Sequence, residues 1–565
     1  MKAVNSLNTR KGCPYKKILA VLMLSVTFTV LIVYPNLWEV LPSTSQHQND
    51  NTTRTMNSTS FHETWLPKSK IMEGNDDITE VDEVYEQNLL EKERGKYGSI
   101  DFAQIQLLDY MNGENRVMKH RPFGGSLQKN VTFDPLESWK AVYEHMQHPE
   151  VVRKPSFLHF GSLVRSTLTA YRIRYEDPPF RQTLLQSLAL NSSESINIVT
   201  TELDKTLETR INHLTTKLFP WLHTKTLHDL QLLYHNKSTD GIVMTVGNIH
   251  FKYAYHGILA LRQVLHCTLP IEVFYANKND LTPSNVAALA KLPNVKVKNL
   301  EAYFPTEMSD IQKWSVKPFG LLASSFRRTI FIDADTLFFK DPSSVILKES
   351  DIFQRYGVLF FHDRSLNRGT GPFPFFEEAN PFMSNYAKGL RFSRGLSWHE
   401  QESGLVAMDK SRIGVLIGLL FSCLMNSKAE TFWLSMELAR VPYKFVPGYS
   451  GAVGYKTWID GTIAVCGSNY HVDEGGKPFW WNGGVLQRRR QSDNVFMRFE
   501  YAAVDTEKHQ RKWEMETNLA PFCLKPAFPQ REIVQLSRQE SSIGNQYVKM
   551  YKNLDIPAPV IVNEY

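Results

Sequence analysis

Cysteine is scarce in this chain. Five in 565 residues are too few for a disulfide scaffold, so the core must hold by packing. A strong charge of one sign is also missing: the formal net charge is only +6, which does not suggest a nucleic-acid binder, and Arg488-Arg489-Arg490 reads as a solvated face. No internal repeat is found. The hydrophobic fraction, 42%, is that of a normal globular protein, and enough chain follows Asn236 to bury a sizeable core.

What is present starts with Ile18 to Tyr34, an uncharged run at the short end of what spans a bilayer. Arg10, Lys11, Lys16 and Lys17 precede it. The basic flank predicts a cytoplasmic tail over 1–17, a signal anchor over 18–34 and a luminal remainder, the type II arrangement. A cleaved signal peptide is the competing reading. No Ala-x-Ala follows the run, and Ser43-Thr44-Ser45 is the nearest small-residue pattern, so retention is favoured. Sequons at Asn51, Asn57, Asn130, Asn191 and Asn236 agree with luminal exposure, and all precede Gly241. Cys267, Cys423, Cys466 and Cys523 would then be luminal and allow three pairings, while Cys13 faces the reducing cytosol.

Composition divides the rest. Residues 35–95 are largely polar and read as a stem, and 96–237 show mostly helical apolar spacing, which predicts a helical subdomain without legible function. From 238 to 565 a catalytic domain is expected. Strand-like Ile242–Val246, Ile271–Ala276 and Val295–Val297 alternate with helical Tyr253–His266 and Lys313–Ser325. That alternation predicts an α/β fold with a mostly parallel sheet and ligands at the carboxyl ends of its strands.

Thr329-Ile-Phe-Ile-Asp333-Ala-Asp335-Thr-Leu-Phe-Phe339 reads as a buried strand that ends on two carboxylates. A surface turn is the usual reading of a bare Asp-x-Asp. Here apolar residues flank it on both sides, where two unpaired carboxylates would be costly without a cation or strong hydrogen bonds. A hard divalent ion prefers such oxygen ligands and shares substrate phosphates.

With Lys317-Pro-Phe-Gly before it and His471-Val-Asp-Glu-Gly-Gly-Lys477-Pro-Phe-Trp480-Trp-Asn-Gly-Gly-Val485 after it, this segment resembles the fungal α-1,3-mannosyltransferases, glycosyltransferase family 71. Gly241–Asn248, Gln401-Glu-Ser-Gly-Leu-Val-Ala-Met-Asp409, Glu430-Thr-Phe-Trp433 and Tyr443–Tyr449 are also similar to that family. More distantly the pieces resemble GT-A glycogenin-like transferases. The resemblance implies a GT-A-like domain in which Asp333, Asp335 and His471 hold Mn²⁺ or another divalent cation. It implies that Lys317, Lys477 and Thr245 face the donor, GDP-mannose. A cation and two ammonium groups around the diphosphate would stabilise charge that develops as the sugar–phosphate bond breaks. Glu402 and Glu430 are the first candidates for the catalytic carboxylate, with Asp409 and Asp473 behind them. Just before Glu430 the chain reads Asn426-Ser-Lys-Ala429, which departs from the acidic pattern expected there. Trp480 and Trp481 suit either a sugar-facing wall or core packing.

The expected protein is a Golgi type II membrane enzyme that transfers mannose, in α-1,3 linkage and with retention, to mannose-terminated O-linked or N-linked glycans of glycoproteins. The alternatives are a GT-A transferase of another linkage or sugar, and a non-catalytic luminal glycan-binding protein on the same fold.

Overall fold

The computed structural model describes residues 104–112, 135–147, 157–190, 195–222, 225–304, 311, 313–365, 383–425, 431–487, 495–505, 514–516, 522–525 and 532–555. The apolar run at 18–34, the sequons at Asn51, Asn57, Asn130 and Asn191, and Glu430 lie outside them. Among the described residues no helix is long and apolar enough to cross a membrane.

Seven strands come first in chain order: β1 Asp240–Thr245, β2 Ile271–Tyr275, β3 Val295–Asn299, β4 Arg328–Ile332, β5 Thr336–Phe338, β6 Val358–His362 and β7 Gln401–Asp409. Six of them form one sheet in the order β3-β2-β1-β4-β7-β6. The first four are mutually parallel, and β7 and β6 add on antiparallel. Because successive side chains of a strand point to opposite faces, Val243, Phe331, Val406 and Met408 enter one core while Ile242, Met244, Ile330, Ile332, Leu405 and Ala407 enter another. The first core is covered by helices Phe157–Tyr171, Ile196–Leu218 and Ile413–Met425, the last buried along nearly all its length. Helices Phe251–Gln263 and Arg538–Lys552 cover the second. The helical segment ahead of β1 thus shares a core with the sheet.

A second sheet, antiparallel throughout, follows: β8 Tyr449–Ile459, β9 Thr462–Val472, β10 Pro478–Asn482, β11 Tyr501–Asp505, β12 Glu514–Glu516, β13 Phe522–Lys525 and β14 Ile533–Gln535. Asp460 and Gly461 link β8 to β9 with φ of 50° and 75°, the left-handed pair that matches the twist of a tight hairpin. A mostly parallel fold is therefore half of the architecture. The antiparallel half escapes a reading based on strand–helix alternation, since no helix separates its strands. Cys466 and Cys523 sit directly opposite one another on β9 and β13 and form a disulfide, which resolves the open pairing; Cys267 and Cys423 are buried thiols.

The two sheets meet at the Asp-x-Asp turn. Asp333 follows β4 in the first sheet, Asp335 precedes β5, and β5 pairs with β10 of the second.

Candidate active site

Parallel register carries Thr245 and Asp333 to the same edge, because Met244 pairs with Ile332 and each is the next residue along. The antiparallel neighbour β7 begins there: the Asp333 amide donates to the Gly404 carbonyl at 2.9 Å. Helix Val316–Ala323 lies against this edge and buries Lys317, whose Nζ stands 2.8 Å from Asp333 Oδ1 and donates to Ser403 Oγ at 3.0 Å. Trp314, 57% exposed, lies beside the same ammonium, with 5.1 Å from Nζ to the ring centroid. Asp335 is fixed through its backbone, its carbonyl accepting from the amides of Gly483 and Gly484 at 3.1 and 2.8 Å. Gly483 takes a φ of 132° to allow this.

Glu402 is buried at this edge, on β7. Its Oε1 accepts from the Gly404 amide at 2.9 Å and from Asn482 Nδ2 at 3.2 Å, and its Oε2 accepts from Asn469 Nδ2 at 3.2 Å. Gly404 makes the approach possible: a Cβ there would lie 2.8 Å from Asn482 Nδ2. Asn469 and Asn482 face each other across β9 and β10, and Asn482 is in turn opposite Thr336, the residue after Asp335.

The same register keeps His471 away from the carboxylates. It pairs with Trp480, which pairs with Phe338, so it stands a further two residues along the strand, about 7 Å. Its ring lies flat on Trp480, with centroids 4.0 Å apart, and edge-on to Phe361. Burial, with His362 and Arg364 nearby, holds its pKa well below the usual imidazole value and leaves it neutral. Among the described residues no three His, Cys, Asp or Glu side chains gather as a metal site. The implied third ligand is therefore not brought to the pair. The two carboxylates do fit a hard cation that takes its other ligands from a diphosphate.

Lys477 is exposed in the β9–β10 turn, where its backbone amide bonds Asp473 Oδ1 at 2.9 Å. That turn is a full strand, about 16 Å, beyond the Asn482 level. Asp473 pairs with Lys340 at 2.6 Å, and Asp409 bonds Arg327 and Ser411 at the opposite end of β4. Both are structural acids. Trp480 and Trp481 are fully buried, which decides for core packing. Sequence reading missed Ser403, Asn469 and Asn482. Neutral side chains carry no motif of their own, but an asparagine in a strand buried on both sides demands partners.

The family described as "Mannosyltransferase putative" matches residues 239–470, from the residue before β1 to the residue before His471. The chain is similar to "Putative alpha-1,3-mannosyltransferase MNN14" of Candida albicans, 26% identical over 53% of this chain and 51% of the relative. It is also similar to "Probable alpha-1,3-mannosyltransferase MNT4" of Saccharomyces cerevisiae, 27% identical over 56% of this chain and 64% of the relative. The matched region is thus about half to two thirds of these relatives. A solved galactosyltransferase LgtC structure overlaps at a TM-score of 0.24 and 13% identity, covering 37% of this chain and 73% of the other. Asp333, Asp335, Lys317, Glu402 and Asn469 all lie inside the span, residues 239–470, that matches this mannosyltransferase family.

Proposed function

We propose that the protein is a glycosyltransferase with a GT-A-like catalytic domain that moves mannose from GDP-mannose, in α-1,3 linkage and with retention, onto mannose-terminated glycans of glycoproteins. The observation that carries this reading is the convergence of Asp333, Asp335, Lys317, Thr245, Ser403 and Glu402 at one sheet edge, inside the span that matches the mannosyltransferase family. Asp333 and Asp335 would hold a divalent cation, Mn²⁺ by the resemblance, and that ion would offset the charge of the donor diphosphate. Lys317 is already buried with one acceptor on each side, so its ammonium is oriented before a donor arrives. A fixed cation of this kind favours charge developing on a leaving phosphate over the ground state. Trp314 offers an open aromatic face beside it. Beyond the Asp pair, Glu402, whose Oε1 accepts from the Gly404 amide, is the candidate catalytic carboxylate; the Glu430 alternative lies outside the described residues. The donor and linkage rest on the family, whose relatives are named α-1,3-mannosyltransferases. A type II Golgi placement with a luminal catalytic domain is part of the same proposal and rests on the basic flank and apolar run at 18–34.

The test is product analysis. The full-length chain in detergent, with Mn²⁺, a panel of nucleotide sugars and short α-mannosides, should use GDP-mannose far better than other donors and yield an α-1,3 product by NMR. An α-1,2 or α-1,6 product contradicts the linkage, and preference for another sugar nucleotide contradicts the donor.

A further inference from the structure

Four buried side-chain polar atoms on β9 and β10 have no hydrogen-bond partner: Asn469 Oδ1, Asn482 Oδ1, His471 Nε2 and Trp480 Nε1. Asn469 is only 4% exposed. Unpaired polar groups in a dry interior each cost about 1–3 kcal/mol, so a fold that keeps them together calls for a ligand. They share one face of the sheet. Asn469 and His471 are two apart on β9, Asn482 is directly opposite Asn469, and Trp480 is opposite His471. That face packs on Glu402 and on Phe361, which pair with each other across β6 and β7.

The orientation of the two amides is fixed by Glu402. A carboxylate only accepts, so both NH₂ groups must turn toward it and both carbonyl oxygens must turn away. Glu402 itself is used unequally. Its Oε1 accepts two hydrogen bonds and its Oε2 one, which leaves Oε2 with an in-plane lone pair available to a substrate. The cluster therefore offers acceptors in excess of donors: Oε2 and two amide oxygens against the single indole N–H of Trp480. A polyhydroxylated ring is the complementary ligand, since each hydroxyl has a proton to give.

We propose that Asn469 and Asn482 are positioning residues that hold Glu402 with Oε2 toward the substrate, and that their carbonyl oxygens complete a subsite for hydroxyl groups of the transferred sugar. This rests on the transferase reading above. It makes the amide pair, not only the Asp-x-Asp pair, a determinant of turnover.

The substitutions Asn482→Asp and Asn469→Asp keep size while exchanging a donor for a second carboxylate beside Glu402. Two carboxylates sharing a site raise the pKa of one of them. The acid limb of the kcat–pH profile should therefore move upward by about one pH unit or more. Turnover should fall by about 100-fold, the scale of one positioned carboxylate, with donor KM changed much less. Melting curves identify a variant that fails to fold, and Asn482, half-buried, provides the milder of the two. A merely structural role would lower stability without shifting the pH limb. If the native chain is active and both folded variants keep kcat within about 3-fold and the same acid limb, the positioning role is overturned while the transferase reading survives. If the native chain transfers no sugar from any donor, that reading fails and the subsite fails with it.

Discussion

Lys317 and Asp333 make one ion pair in which each partner has a second function to offer. Removing either leaves the other charged and largely buried, a loss of about 3–5 kcal/mol if nothing relaxes. Asp335 differs, because its backbone carbonyl holds the turn and asparagine keeps the size of its buried side chain. Asp335→Asn should therefore lower transfer by at least about 100-fold with the melting temperature close to native, whereas Lys317→Met should lose both activity and stability. Thermal melts beside initial rates separate the two, and equal melting losses would contradict the distinction. A second residue sets acid sensitivity. His256 Nε2 bonds the Tyr547 carbonyl at 2.9 Å, and burial pushes its pKa down from 6.5 to about 4. Between those values the unfolded chain takes up a proton that the folded chain refuses, so stability falls as pH drops from 6.5 to 4, by about 3 kcal/mol in full. Melting temperature against pH should be flatter in His256→Gln, and an unchanged slope counts against this account. At this scale the neighbourhood of Lys317 and Asp333 was legible, since carboxylates that end an apolar run need a partner, whereas Lys477, in a distant turn, is not brought to them. His471 was not, because its stacking on Trp480 depends on strand register that a motif does not contain.

The first sheet was readable as an element pattern, from β1 through β4, because short strand blocks, apolar except for the Val-Lys alternation of β3, are separated by helices. The second sheet was not. Its long strands β8 and β9 carry glycines directly opposite one another, Gly454 and Gly467, where a Cβ would come within 2 Å of a facing carbonyl. Glycine inside a strand usually reads as a break; here it lets two strands approach closely. The disulfide between β9 and β13 ties this sheet across a sequence separation of 57 residues. Loop-closure entropy over that length contributes about 4 kcal/mol. Replacing both Cys466 and Cys523 with serine should lower the denaturation midpoint by the corresponding amount, measured by urea titration followed by fluorescence. No change on replacement, or on reduction of the native chain, would contradict the pairing.

Over the whole molecule the two sheets are joined where the chemistry is proposed. The turn Asp333–Asp335 leaves one sheet and enters the other, so site geometry depends on both cores at once. That coupling also explains why the site was half legible: Lys317, Asp333, Asp335 and Glu402 belong to local blocks, whereas Asn469 and Asn482 reach them only through the docking of the second sheet. A surface prediction belongs at this scale as well. Asn236 ends helix Leu227–His235 and is exposed, open to a glycan if the chain faces a lumen, so Asn236→Gln should remove one glycan's mass from the protein made in its secretory pathway. Unchanged mobility would count against occupancy there. The most direct measurement of the central claim is transfer of labelled mannose from GDP-mannose to a short α-mannoside by the full-length chain, with Asp335→Asn in parallel. The account predicts cation-dependent transfer by the native chain and at least about a 100-fold loss in the variant; absence of transfer by the native chain, or equal rates in the two, would contradict it.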